Sequence, residues 1–191
     1  MLRAFIAVRI GPPIIARIDT AIRTLRTSIP DVRWVNPENI HLTLKFLGDI
    51  EPSQVDAIEQ ALATSLASFP RFTISVRGLG VFPDVRRPRV LWVGIAEPRL
   101  VELAASVEAA LVDSGFAPEQ RRFQPHLTIG RFRQFGSPAN GLSAELKTWE
   151  NERFGACDVE QVTLFESVLR PGGALHSALK TVPLAHRQAL V

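Results

Sequence analysis

Two histidines in this chain occur in the same tripeptide, His41-Leu42-Thr43 and His126-Leu127-Thr128, and each copy lies in a run that reads as a β-strand. A strand sends alternate side chains to opposite faces, so the histidine and threonine of each copy share one face while the leucine takes the other. Imidazole, with an ordinary pKa near 6.5, serves as base or acid at neutral pH. A threonine hydroxyl can donate to a non-bridging phosphate oxygen, where charge accumulates as a phosphodiester is cleaved. Two such strands facing each other would supply a base, an acid and two oxyanion donors, with no metal and no cofactor. Parity adds Lys45 to the face of His41 and Thr43. Arg131 has the opposite parity to His126 and reaches the same face only if its strand twists, ends or bulges there.

The other chemistries fit less well. Zinc requires three or four His, Cys or carboxylate ligands, and neither strand offers a second one at i+2 or i+4. Neither a Walker-type phosphate loop nor a Gly-x-Ser-x-Gly elbow is present, and Gly78-Leu79-Gly80 reads as a turn. Cys157 is the single cysteine, which excludes an internal disulfide. It implies a reducing, cytoplasmic compartment, with the thiol as a small core residue rather than a nucleophile.

The elements that must position the two motifs follow from periodicity. Residues 3–8 read as a strand and 12–28 as a helix with Ile14, Ile15, Ile18, Ile22 and Leu25 on one stripe; 32–35 and 40–47 are strands. Residues 90–95 read as a strand, 98–114 as a helix stopped by Gly115, and 123–132 as the strand of the second motif. Strand, helix and histidine strand thus recur at nearly equal spacing, with a period of about 85 residues, too long for a solenoid unit. After the first motif come a helix over 53–68, with Ser53 as its cap, and a strand over 71–77. After the second come a short helix over 144–151 and strands over 159–169 and 175–182. Gly136 to Ser143 and the tail after Ala185 read as flexible.

These elements predict an α+β fold spanning residues 1–191 as one bilobal domain. Its repeat units are roughly 1–85 and 86–185, with two mainly antiparallel sheets around a central groove, helices outside and an internal pseudo-two-fold. The 191 residues suffice for a large core, and 46% hydrophobic with 21% charged residues is ordinary for a soluble protein. Net charge is +3, with arginine supplying most of the cations, a bias that suits an anionic partner or simply a solvated basic surface. The apolar amino-terminal stretch is too short to span a membrane, and the expected state is a monomer.

The segment Arg33-Trp34-Val35-Asn36-Pro37-Glu38-Asn39-Ile40-His41-Leu42-Thr43-Leu44-Lys45-Phe46-Leu47-Gly48 resembles the first signature of the bacterial and archaeal RNA 2′,3′-cyclic phosphodiesterases. These are also called 2′-5′ RNA ligases, within the two-histidine phosphoesterase superfamily. The resemblance continues through Gly78 to Pro83, Pro88 to Trp92 and Phe123 to Arg131, and ends in Leu164-Phe165-Glu166-Ser167. It implies metal-free opening of a terminal 2′,3′-cyclic phosphate to a 2′-phosphate, and some ATP-independent joining or breaking of 2′-5′ linkages. It places His41 and His126 as the catalytic pair, Thr43 and Thr128 on the phosphate, and Arg131 at a phosphate-binding position. The family commonly carries a tyrosine where this chain has His176, and the chain has no tyrosine. His176 is therefore a candidate substrate contact, with packing or a surface role as the alternative. Phe46, Phe82 and Trp34 are candidates to stack a terminal base, with apolar packing as their alternative.

The expected partner is an RNA 3′ end or a small cyclic phosphate. His126 is assigned as the base that activates water and His41 as the acid, an order that the near-symmetry of the strands does not decide. Two other readings use the same groove: a module that binds RNA ends or nucleotides with little turnover, and a phosphodiesterase for a small cyclic nucleotide or an ADP-ribose cyclic phosphate.

Overall fold

Alternation within the first strand already divides the molecule into two environments. The strand β1 (Leu2–Arg9) buries Ala4, Ile6 and Val8 in the main core, while Phe5 and Ala7 join Phe165 in a separate cluster on the opposite face. A strand covered on both faces reads as a continuous apolar run, as Ala4-Phe5-Ile6-Ala7-Val8 does. The computed structural model describes residues 1–133, 141–171 and 173–186.

The helix α1 (Pro12–Ser28) starts on prolines, whose fixed φ and missing N–H suit a first turn, and buries Ile14, Ile18, Ala21, Ile22 and Leu25. After β2 (Val32–Trp34) and a 3-10 turn (Pro37–Asn39) comes the first histidine strand, β3 (His41–Ile50). The helix α2 (Val55–Leu66) leads to β4 (Phe72–Phe82) and β5 (Val90–Ile95), and α3 (Arg99–Val112) buries Leu100, Leu103, Ala104, Val107 and Leu111. Gly115 follows α3 with φ of 86°, the left-handed conformation that ends a helix. The second histidine strand is β6 (His126–Phe132); α4 (Leu142–Thr148), β7 (Arg153–Val159), β8 (Gln161–Arg170) and β9 (Gly173–Pro183) complete the order.

The strands form two antiparallel sheets, ordered β3-β1-β8-β9 and β2-β6-β5-β4-β7. Apart from β2, the two orders match strand for strand, with each histidine strand beside the strand that opens its half. The match requires an exchange: β4 joins the sheet of the second motif, and β8 and β9 join the sheet of the first. The helices α2 and α3 pack with the first sheet, α1 and α4 with the second. The fold is α+β, as expected. Among the described residues no helix is long and apolar enough to cross a membrane.

Several boundaries differ from the sequence reading. Gly78-Leu79-Gly80 is not a turn, because β4 runs through it. Gly78, with φ of 71°, makes a bulge, and Gly80 leaves room for the Trp92 ring, which a Cβ there would approach to 2.1 Å. A separate strand, β7, precedes β8, and β6 begins at His126, so residues 123–125 lie outside the sheet. Residues 136–140 of the stretch read as flexible and 187–191 of the tail lie outside the described residues, and Leu142 and Ser143 of that stretch belong to α4. Cys157 is half-buried against the core, and burial pushes its thiol pKa up, which keeps it protonated and inert.

Gly130 permits the close contact between β2 and β6. It pairs with Trp34, and a Cβ there would stand 2.3 Å from Cγ1 of Val32, a β-branched side chain that cannot swing aside. Gly130→Ala is therefore expected to destabilise the protein by about 1–3 kcal/mol, read as a lower urea midpoint.

Candidate active site

One short segment ties the two histidine strands together. Its first part, β2, pairs with β6 from Val32↔Phe132 to Trp34↔Gly130, and the Val35 N–H extends the ladder by donating to the Ile129 carbonyl at 2.9 Å. The Asn36 side chain then caps the 3-10 turn by accepting from the Glu38 N–H at 3.2 Å, and Pro37 starts that turn. Two residues after it the chain enters β3 at His41. β3 and β6 accordingly lie against each other where the two sheets meet.

Both histidine strands carry the same irregularity. In β3, Thr43 pairs with Ala7 and Lys45 with Ile6, which leaves Leu44 as an extra residue. In β6, Thr128 pairs with Trp92 and Gly130 with Leu91, which leaves Ile129 as the extra residue. A bulge of one residue reverses the faces of the positions that follow it up to the next irregularity, which in β3 comes at Leu47, after Phe46. Beyond it, Phe46 in the first strand and Arg131 in the second take the groove face, each five positions after its histidine.

This reversal corrects the parity argument for Lys45. The side chain turns into the core, where only 6% of the residue is exposed, and its ammonium donates to the Glu108 carboxylate of α3 and, at 2.9 Å, to the Ala117 carbonyl. Lys45 is a buried ion-pair partner on the far side of the sheet from His41. Arg131 meets the condition set for it: the bulge carries it to the face of His126 and Thr128.

The two imidazoles are held alike. His41 Nδ1 lies 2.7 Å from the Asn39 carbonyl and His126 Nδ1 lies 2.7 Å from the Gln124 carbonyl. A carbonyl only accepts, so each Nδ1 carries the proton and donates it. Each Nε2 is left with its lone pair, ready to take a proton. Thr43 and Thr128, both half-buried, stand on the same faces.

Their surroundings differ. The His41 ring stacks on Phe5 at 4.7 Å between centroids, and Phe5 stacks on Phe165 at 5.2 Å. Arg9 covers the Phe165 ring at 4.8 Å. Burial lowers the His41 pKa from 6.5 to about 4, the Asn39 carbonyl opposes this, and the nearby His176 adds to it. His126 meets the Phe82 ring edge-on at 4.9 Å and borders a cleft of about 330 Å³ lined also by Phe82, Trp92, Arg122, Phe123 and Gln124. Its pKa is lowered mainly by burial, against the Gln124 carbonyl, with the Arg131 charge pushing the same way as burial.

His176 arrives from a distance. Pairing of β8 with β1 covers only Ala4↔Glu166 to Ala7↔Thr163, while the β8–β9 hairpin continues to Arg170↔Gly173. Beyond β1 the hairpin bends over the concave face. There the Ala174 carbonyl accepts from the Asn39 side chain at 2.6 Å, and the His176 ring packs edge-on to Phe5 at 5.0 Å and to His41 at 5.2 Å.

The sequence candidates therefore divide. His41, Thr43, His126, Thr128, Arg131, Phe46, Phe82 and His176 face the groove, and Lys45 does not. Trp34 pairs with Gly130 on the core side and packs against the core. Phe46 is 71% exposed, beside Phe5 at 6.1 Å. Phe5, Phe165, Asn39 and Gln124 escaped the sequence reading. For Phe5 the signal was its parity, opposite to Ala4, Ile6 and Val8. Among the described residues, no group of three or more His, Cys, Asp or Glu side chains is placed to hold a metal ion.

Lys45→Met removes the cation that pairs with the mostly buried Glu108. A loss of about 2 kcal/mol in unfolding free energy is expected, with the catalytic rate near the wild-type value; a role on the phosphate would reverse that pattern. The lowered His41 pKa makes a second expectation. Between about pH 6.5 and 4 the unfolded chain binds a proton that folded His41 refuses, so stability present at neutral pH falls as the pH drops through that window. The loss attributable to His41 is on the order of 3 kcal/mol. In urea melts at pH 7 and pH 4.5, His41→Gln should lose less stability on acidification than the wild type.

Comparison with known proteins points one way. The family model described as LigT-like phosphoesterase matches residues 10–92 and again residues 93–176. A protein of Methanothermobacter thermautotrophicus named RNA 2′,3′-cyclic phosphodiesterase is 34% identical over 186 residues, covering 96% of this chain and 99% of that one. One of the same name from Aquifex aeolicus is 36% identical over 152 residues, covering 78% and 79%. Among solved structures, E. coli LigT complexed with 3′-AMP gives a TM-score of 0.74 at 26% identity, over 96% of this chain and 98% of that one. The TT0787 protein of Thermus thermophilus shares the fold, with a TM-score of 0.81 at 23% identity over 98% and 100% of the two chains.

Proposed function

The chain belongs to the LigT-like phosphoesterase family, and on that premise we propose that it opens the 2′,3′-cyclic phosphate at an RNA end to a 2′-phosphate, using His41 and His126 as an acid–base pair without a metal. The observation that carries this reading is the matched pair of imidazoles. Each is locked by Nδ1–H donation to the carbonyl two residues earlier, each has a free Nε2, and each has a threonine hydroxyl on its own face.

In the forward reaction a water oxygen attacks phosphorus and its proton passes to His126 Nε2. The bond from phosphorus to the 3′-oxygen breaks, and His41 delivers a proton to that oxygen, which leaves a 2′-phosphate and a free 3′-hydroxyl. His126 suits the water-activating role because it borders the open cleft, whereas His41 lies against Phe5. His41 rests as the neutral imidazole, and the negative charge of the bound cyclic phosphate beside its Nε2 favours taking up the proton it must later give. Thr43 and Thr128 donate to the non-bridging oxygens, and Arg131 supplies a cation further along the same face of the groove. With the 5′-hydroxyl of a second RNA in place of water, the same displacement forms a 2′-5′ linkage without ATP. Phe82 at the cleft, and Phe46 and His176 on the opposite wall, are assigned as substrate contacts.

Incubation of RNA ending in a 2′,3′-cyclic phosphate with excess EDTA tests the reading. A 2′-phosphate should form under chelation. His41→Ala and His126→Ala should each lower kcat/KM by about 10²–10⁴-fold while the fold persists. Near-normal turnover by both variants, or dependence of the wild type on added metal, would overturn the mechanism.

A further inference from the structure

The second sheet places two arginines directly opposite each other. β2 pairs Arg33 with Arg131, and because paired residues of an antiparallel ladder share a face, Arg33 stands with Arg131 on the groove face. The flanking pair Val32 and Phe132 turns the other way and is buried. Both arginines are exposed, and among the described residues neither guanidinium makes a hydrogen bond or ion pair. Like charges directly across a ladder repel and destabilise the sheet. A basic pair that the protein leaves unneutralised beside its groove suits a bound anion. Two guanidinium forks can hold one phosphodiester between them.

Register gives the distance from the reacting phosphate. Thr128 stands level with Trp92, and Arg131 with Val90, two residues along β5. Two strand residues span about 7 Å, of the order of one nucleotide step along an RNA strand. We infer that Arg33, together with Arg131, binds the phosphodiester next to the terminal cyclic phosphate, so that the substrate is an oligonucleotide chain rather than a mononucleotide. This rests on the cyclic-phosphodiesterase reading above and narrows it, since a nucleoside 2′,3′-cyclic monophosphate has no second phosphate for Arg33 to hold.

The test compares kcat/KM for a short oligoribonucleotide ending in a 2′,3′-cyclic phosphate with kcat/KM for a nucleoside 2′,3′-cyclic monophosphate, in the wild type and in Arg33→Gln. The wild type should prefer the oligonucleotide, and R33Q should shrink that preference about tenfold, through KM rather than kcat. The salt dependence of log kcat/KM for the oligonucleotide should flatten by about 0.7 per log unit of salt, the share of one phosphate contact on a single strand. If the wild type turns over both substrates equally, or if R33Q lowers both by the same factor, the second phosphate site is wrong while the phosphodiesterase reading stands. If the wild type hydrolyses neither, that reading fails and this inference falls with it.

Discussion

A strand that must bury one face and serve a reaction on the other has little freedom in the residues placed after its reactive ones. In both histidine strands an extra residue, Leu44 or Ile129, sits directly after the threonine, and most of the site depends on that insertion. Without it, Lys45 would stand in the groove and Arg131 would point into the core. With it, the ammonium of Lys45 finds Glu108 inside, and a guanidinium becomes available outside. One local departure from regular pairing thus sets the electrostatics of both faces.

The two walls of the groove are built alike in backbone and unlike in chemistry. The wall of His41 is aromatic, with Phe5, Phe165, Phe46 and His176 around the imidazole, so its charged form is disfavoured. The wall of His126 carries Arg33 and Arg131 in addition to Phe82 and Trp92. The same Nδ1 anchor holds both rings and burial lowers the proton affinity of both, with His176 adding to this at His41 and Arg131 at His126.

Much of this was legible in the sequence. The doubled His-Leu-Thr, the helices with apolar stripes and the alternation of strands carry local signals, and α1, α3 and β5 lie close to where periodicity puts them. What was not legible is non-local. Nothing in the residue types of Leu44 or Ile129 announces a bulge, since bulging is decided by the register with β1 and β5. The same holds for Gly78-Leu79-Gly80, where glycine serves either a turn or a close approach, and only the Trp92 ring lying over Gly80 distinguishes them. The approach of His176 to His41 depends on a hairpin that bends past the end of β1, which no window of sequence contains.

The exchange of strands between the two sheets has a consequence for how the molecule is made. The stack of Phe5 on Phe165 joins residues far apart in the chain, and the pairing of Ala4 with Glu166 does the same. Contacts of such long sequence separation form late, because the intervening loop must be closed before they stabilise anything. On a ribosome, the strand bearing His41 follows Phe5 closely, yet Phe165, which backs the Phe5 ring, and His176 are still to be synthesised. His41 emerges well before the residues of β8 and β9 that complete its surroundings, so the site assembles only once those strands have been added.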